Sequence, residues 1–323
     1  MKLLTTIERN LSKVKPPFFD GLSVWDILSF FVRGIYQGAI TSRAGSVSFS
    51  FFLALFPGII FIFTLIAYLP LDVFQEELFG VLKDVLPAST HEMAIDAIED
   101  VLTIKRGGLL SVTFIAALVF ATNGTLSLIS NLGISYHNIN VKNFWSQYFS
   151  AFLLTIGLTV LIIIAIVALI FTQGFTGWLV ELGYLAEYAS FVIYWGRLLV
   201  LLLTIVLAIS LVYNYGPVRS RNWRFISAGS LLATFLIIIS SQGFSFYVEN
   251  FSTYNKFYGS IGTLLIMLLW IYVNAFGLII GFELNASISG AQQQRHQNTA
   301  NKKSPEKTLE ANLFRRAIAT LTH

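Results

Sequence analysis

A polytopic all-α membrane bundle of six spans, N-in and C-in, with an amphipathic N-terminal helix and a helical outer loop, is the fold class this sequence predicts. Three observations carry it. The 323 residues are 55% hydrophobic and only 12% charged, with a mean hydropathy of +0.72, which is more apolar material than a soluble core of that size hides. Six stretches, roughly 45–69, 109–133, 149–171, 191–213, 225–247 and 259–284, are apolar over about 20 residues, the length a helix needs to cross a bilayer. None alternates with the period of about two residues that a barrel strand shows.

The elements follow in order. Residues 1–43 form the N-terminal segment. Its first 21 residues are polar and mixed in charge, so no cleavable signal is expected ahead of the first apolar run, which starts after Arg43. Within it LSVWDILSFFVRGIYQGAI, residues 22–40, places apolar residues at helical spacing interrupted by Asp26, Arg33 and Gln37, the pattern of a helix lying in the interface. The membrane domain covers 44–285. Its loop 72–108 reads as two short amphipathic helices: Leu71, Phe74, Leu78, Leu82 and Val85 share one face, and after Pro87 the pair Ser89 and Glu92 has capping-box spacing. The tail 286–323 contains QQQRHQNTANKKSP and is expected to be largely disordered.

Lysine and arginine set the orientation. With both termini in the cytoplasm, sixteen of the 21 basic residues fall inside and four outside (Lys83, Lys105, Arg106, Lys256), leaving Arg197 within a span. That asymmetry predicts N-in and C-in. Lys105 and Arg106 are the exception, directly before the second span on the outer side.

Polar residues inside apolar spans are the candidate functional positions. In the last stretch, Trp270, Asn274, Gly277, Gly281 and Asn285 share one helical face, and Glu283 points away from it. Gly277 and Gly281 are a small-xxx-small pair that lets a second helix approach, and Asn274 has the chemistry to hydrogen-bond across such a contact. Ala116, Phe120, Asn123, Ser127 and Ser130 form a stripe on the second span, and Ser46, Ser50 and Pro57 align on the first. The three faces are expected to meet. For Asn274 and the serines, helix packing is the preferred reading over a substrate site. Asn123, beside Gly124, is open to both readings. Pro57 frees a carbonyl inside its span and is a candidate kink. Glu283 is expected to contact the basic loop 214–224, with Arg219, Arg221 and Arg224, or to line an opening toward the cytoplasm.

YNYGPVRSRNWRFISAGSLLATF and, after the fifth span, YVENFSTYNKFYGSIGTLLIMLLWIYVNAFGLIIGFELNA resemble the YihY/BrkB family of bacterial inner-membrane proteins. The matching positions include Tyr213, Pro217, Trp223, Gly229, Tyr254, Asn255, Tyr258, Gly259, Ser260, Gly262, Trp270, Gly281, Glu283, Leu284 and Asn285, with Pro57 at the family's Leu-Phe-Pro step. The resemblance covers about residues 25 to 290. It implies an inner-membrane location and brings no catalytic residues. Family labels include virulence factor and ribonuclease, and some members are linked to envelope lipids. Tyr258, Ser260, Glu283 and Asn285 are carried over as family positions without an assigned role.

No catalytic, cofactor-binding or metal-binding residues are expected. A metal-dependent nuclease needs clustered histidines and carboxylates, and His91, His137, His296 and His323 are scattered over an outer loop, an inner loop and the tail. No H-E-x-x-H, phosphate-cradling glycine loop or G-x-S-x-G elbow occurs, so nucleic acid is not an expected partner. Two readings remain. One is a transporter or flippase of an envelope lipid or amphipathic solute; the other is a structural or adaptor membrane protein whose polar stripes are packing devices. The expected partners are the bilayer and, on the first reading, that lipid or solute. Oligomeric state stays open.

Overall fold

The computed structural model describes residues 16, 21–66, 107–134, 143–181, 189–215, 226–250 and 262–295. Seven helices make up nearly all of them: α1 (Val24–Gln37), α2 (Ile40–Ile66), α3 (Gly107–Gly133), α4 (Phe144–Glu181), α5 (Ala189–Tyr215), α6 (Ala228–Asn250) and α7 (Gly262–Arg295). Helices α2 to α7 contain six segments long and apolar enough to cross a membrane. No strand occurs among the described residues. The six-span helical class expected from the sequence is the class observed. The outer loop lies outside the described residues except where it enters α3 at Gly107.

The 14 residues of α1 extend about 21 Å at 1.5 Å per residue, too short for a hydrocarbon layer of about 30 Å. Ser23 starts the helix: its Oγ accepts the Asp26 N–H at 3.2 Å and donates to the Asp26 carboxylate at 2.6 Å. Gly38 ends it, its N–H bonded to the Gly34 carbonyl at 2.8 Å. Ala39 then takes a left-handed φ of 46°, and α2 begins at once. This elbow joins an amphipathic helix to the first span without a linker.

Helix α7 differs from its expected end. It runs to Arg295, past the boundary placed at 285, because Ile288 and Ala291 bury one turn apart against Leu22 and Ile27 of the α1 segment. Arg295 adds a hydrogen bond from Nη1 to the Gly21 carbonyl at 3.3 Å. Side-chain burial on α1 therefore holds ten polar-leaning residues helical that composition assigns to the tail.

Burial is concentrated at one end of the bundle. The main core joins Ala44 and Val47 near the start of α2, Leu128 and Leu132 near the end of α3, Ala151 and Leu154 near the start of α4, Ile209 to Tyr213 near the end of α5, Ala233 near the start of α6 and Ile279 to Ala286 in α7. Because successive spans run antiparallel, these positions lie at one level. Toward the opposite level, α2 and α3 stay together, with Phe61 and Phe114 rings 5.4 Å apart and Thr64 and Thr113 buried. The far halves of α4 to α7 present Ile162, Ile166, Phe171, Phe191, Leu199, Phe246 and Leu264 outward, as the packed halves do Phe149, Leu153 and Phe235. Side chains this apolar suit lipid or another apolar surface.

The glycine face of α7, expected from the sequence to meet the stripes of α2 and α3, packs instead on α6 and α5. A methyl group added at Gly281 would meet the Gly229 carbonyl, the Ala233 methyl and the Tyr213 hydroxyl, and one at Gly229 would meet the Gly281 carbonyl and the Asn285 amide. The two backbones touch there, which only glycine permits. Gly277 is different, since a methyl there would sit 3.4 Å from Leu236 Cβ, an ordinary contact. Gly281→Ala and Gly229→Ala should each destabilise the detergent-solubilised protein by about 1–3 kcal/mol through overpacking. Gly277→Ala should be neutral or stabilise by up to about 1 kcal/mol through helix propensity. Thermal unfolding of the three variants checks this, and equal effects at all three positions would contradict it.

Candidate functional site

At the packed end a single charged residue gathers four elements. Arg43, in the first turns of α2, is 4% exposed, and Glu283 of α7 is fully buried. Arg43 Nη1 meets Glu283 Oε1 at 2.6 Å and also donates to the Gly38 carbonyl at the α1 elbow, 3.1 Å away. Its Nε donates to the Asn131 carbonyl in the last turn of α3 at 2.7 Å. α1, α2, α3 and α7 are thus tied through one guanidinium. Charge makes each of these hydrogen bonds stronger than a neutral one, and the pairing is what makes burial of the carboxylate tolerable. The expected contact between Glu283 and the arginines of loop 214–224 falls outside the described residues; the basic partner observed is Arg43.

A neutral polar cluster lies beside this pair. Asn285 Oδ1 accepts the Gly229 N–H at 2.8 Å while its Nδ2 donates to Ser227 Oγ at 2.8 Å. Ser227 is the cap of α6, its Oγ accepting the Ser230 N–H at 3.1 Å. The first turn of α6 has donors with no partner in its own helix, and α7 supplies the acceptor for one of them. Tyr213 of α5 donates its hydroxyl to the Leu278 carbonyl at 2.5 Å and sets its ring 5.5 Å from that of Phe282. The α5, α6 and α7 ends are joined by these contacts.

The stripes of α2 and α3 meet each other. Ser127 Oγ donates to the Ser46 carbonyl at 3.3 Å, and Asn131 Nδ2 donates to Ser46 Oγ at 3.3 Å. Further along, Thr155 Oγ1 of α4 donates to Thr125 Oγ1 at 2.9 Å, and Ser130 donates to Gln147 Oε1 at 3.1 Å. These are interhelical bonds of the kind that hold membrane helices in register.

Of the positions singled out from sequence, Glu283, Asn285 and Gly281 come together at the packed end. Asn123 is exposed on α3, turned away from the shared interior. Asn274 is half-buried and bonds the Trp270 carbonyl of its own helix at 2.7 Å, so the expected bond across the helix contact is replaced by a local one. Pro57 lies within α2, which remains one helix through it. Tyr258 and Ser260 lie outside the described residues. Arg43 was not singled out, although it is a charge immediately before the serines of the first span. Among the described residues, two buried side-chain atoms lack a partner, Arg43 Nη2 and Ser210 Oγ. No group of three His, Asp or Glu side chains suited to a metal ion occurs among them either; all four histidines lie outside those residues.

Comparison with known families matches residues 31–306 to the family described as Virulence factor BrkB. A ribonuclease-like protein of Bacillus subtilis (strain 168), YfkH, is 31% identical over 269 residues, 80% of this chain and 93% of that protein. The chain belongs to the virulence factor BrkB family. A UPF0761 membrane protein of Alteromonas mediterranea is 25% identical over 314 residues, covering 92% of this chain and 99% of its own length. UPF0761 membrane proteins of Xanthomonas campestris are 38% identical over 86 residues, which is 27% of this chain but 20% of theirs. No solved structure matches. This BrkB family member is a multi-pass membrane protein.

In this BrkB family chain the two asparagines of α7 should behave differently. Asn285→Leu leaves the Gly229 N–H without its acceptor and should cost about 1–3 kcal/mol. Asn274→Leu removes a bond within one helix turn on a half-exposed face and should stay within about 0.5 kcal/mol. Thermal unfolding in detergent measures both, and a larger loss at Asn274 would reverse the assignment.

Proposed function

We propose that the protein is a transporter or flippase of an envelope lipid or amphipathic solute in the bacterial cytoplasmic membrane, with both termini cytoplasmic. One observation carries the reading: a buried ion pair, Arg43 with Glu283, ties α1, α2, α3 and α7 together at the packed level of the bundle. A carrier that works by alternating access needs two levels that close differently, and an ionisable pair within the closed level is a switchable latch. The orientation rests on the distribution of lysine and arginine. A reporter fused at the C-terminus should read cytoplasm; an external signal would invert the assignment. Catalysis, including ribonuclease action, forms no part of this reading.

A second reading is favoured by the α6–α7 contact. Backbone-to-backbone closure at Gly229 and Gly281, together with polar side chains bonded within the bundle, is also what a rigid envelope scaffold or adaptor requires.

Reconstitution separates them. Vesicles containing the purified protein and a headgroup-labelled phospholipid, or an entrapped labelled amphipathic solute, should show faster label translocation than protein-free vesicles. Glu283→Gln at matched abundance should lose that activity by about tenfold or more, because the amide keeps the shape and removes the charge. Wild-type rates equal to those of protein-free vesicles, for lipid and solute alike, would leave the scaffold reading.

A further inference from the structure

We propose that Arg43 is the anchor of a binding site for a phosphate-class anion at the packed end of the bundle. A guanidinium presents five N–H donors in a planar fork. At Arg43, Nε is taken by Asn131 and Nη1 by both Gly38 and Glu283, while Nη2 is buried with no partner. A buried charged donor without an acceptor is costly. Arg43 meets Glu283 through Nη1 alone, leaving the Nη2 arm of the fork unused by the carboxylate, so the site is one strong acceptor short of completion. The group that best matches the unused arm is an anionic oxygen, and planar arginine recognition favours phosphate.

Depth narrows the source. Arg43 is near the start of α2, Asn131 is in the last turn of α3, and the α1 elbow is at Gly38. Glu283 lies roughly 32 Å along α7 from Gly262 at about 1.5 Å per residue, close to the full hydrocarbon thickness of about 30 Å. This is the level of lipid headgroups, and free phosphate in the adjoining water reaches the same level. Both carry the oxygen that Nη2 lacks.

The site is shut in this conformation, since Arg43 is 4% exposed and Glu283 not at all. Entry of the anion requires the contacts of Arg43 with Gly38 or Glu283 to open. Glu283 then has two roles: it balances the guanidinium while the anion is absent, and its negative charge opposes the anion as it arrives. The proposal deepens the transport reading, on which it rests, by naming the chemical class of the cargo's polar group.

The test uses the full chain in detergent, with thermal shift and native mass spectrometry as readouts and three probes: phosphatidylglycerol, diacylglycerol with the same acyl chains, and inorganic phosphate. Wild type should be stabilised by phosphatidylglycerol or by phosphate and not by diacylglycerol. Arg43→Lys keeps a charge but removes the fork and should weaken the response about tenfold. Glu283→Gln removes the competing charge and should strengthen it about tenfold. A response to phosphatidylglycerol alone assigns the lipid headgroup, and a response to inorganic phosphate assigns the soluble ion. No wild-type response to either, as expected if Nη2 holds only a water, or an undiminished response in Arg43→Lys, overturns the site. If Arg43→Lys does not fold, the wild-type comparison with diacylglycerol and the direction of the Glu283→Gln change decide the matter. Anion binding at Arg43 without translocation in vesicles sustains the site and sinks the transport reading; translocation with no such binding does the reverse.

Discussion

Burial of Glu283 is the constraint around which the packed end is organised. A carboxylate with no exposed surface, in a chain made to live in lipid, is tolerable only against a fixed counter-charge and further hydrogen bonds. Arg43 supplies the charge, and its remaining bonds reach the α3 terminus and the α1 elbow. The position of the amphipathic helix is therefore coupled to the last span through a side chain on the first. Any movement that separates α1 from α7 must break or exchange bonds at Arg43.

Two modes of contact divide the work at this end. Between α2, α3 and α7 the link is an ion pair, whereas between α5, α6 and α7 it is the close contact of Gly229 with Gly281 and the neutral hydrogen bonds of Tyr213 and Asn285. Close glycine contacts have little freedom to adjust because backbone meets backbone. An ion pair at a span end is easier to exchange, since water or an anion at the headgroup level can replace either partner. The pairing, rather than the glycine seam, is thus the place where a conformational change would begin.

Much of the fold was legible because bilayer thickness imposes one length on every span. The runs around 109–133 and 225–247 correspond to α3 and α6 within a few residues. The end of α7 was not legible, since Ser287, Ser289 and Gln292 look like a tail until Ile288 and Ala291 are seen against Leu22 and Ile27. At the site, Glu283 and Asn285 stood out because a carboxylate and an amide are rare in apolar sequence. Arg43 did not, because a cation just before a span reads as a topology marker. Its pairing joins residues 240 apart in the chain, and periodicity within a helix carries no information on which faces meet. The same limit explains Asn123 and Asn274: each lies on a stripe that packs, yet Asn123 stays exposed and Asn274 bonds the Trp270 carbonyl of its own helix.

The most direct test of the central claim is a double-mutant cycle on the pair, with Arg43→Met, Glu283→Leu and the double variant unfolded thermally or by denaturant in one detergent. Each single change removes one partner of a buried ion pair and should cost about 3–5 kcal/mol. The double variant should be more stable than at least one single variant, giving a coupling of about 2 kcal/mol or more. Single losses that simply add to within about 0.5 kcal/mol would mean that the two residues do not hold the end of the bundle together.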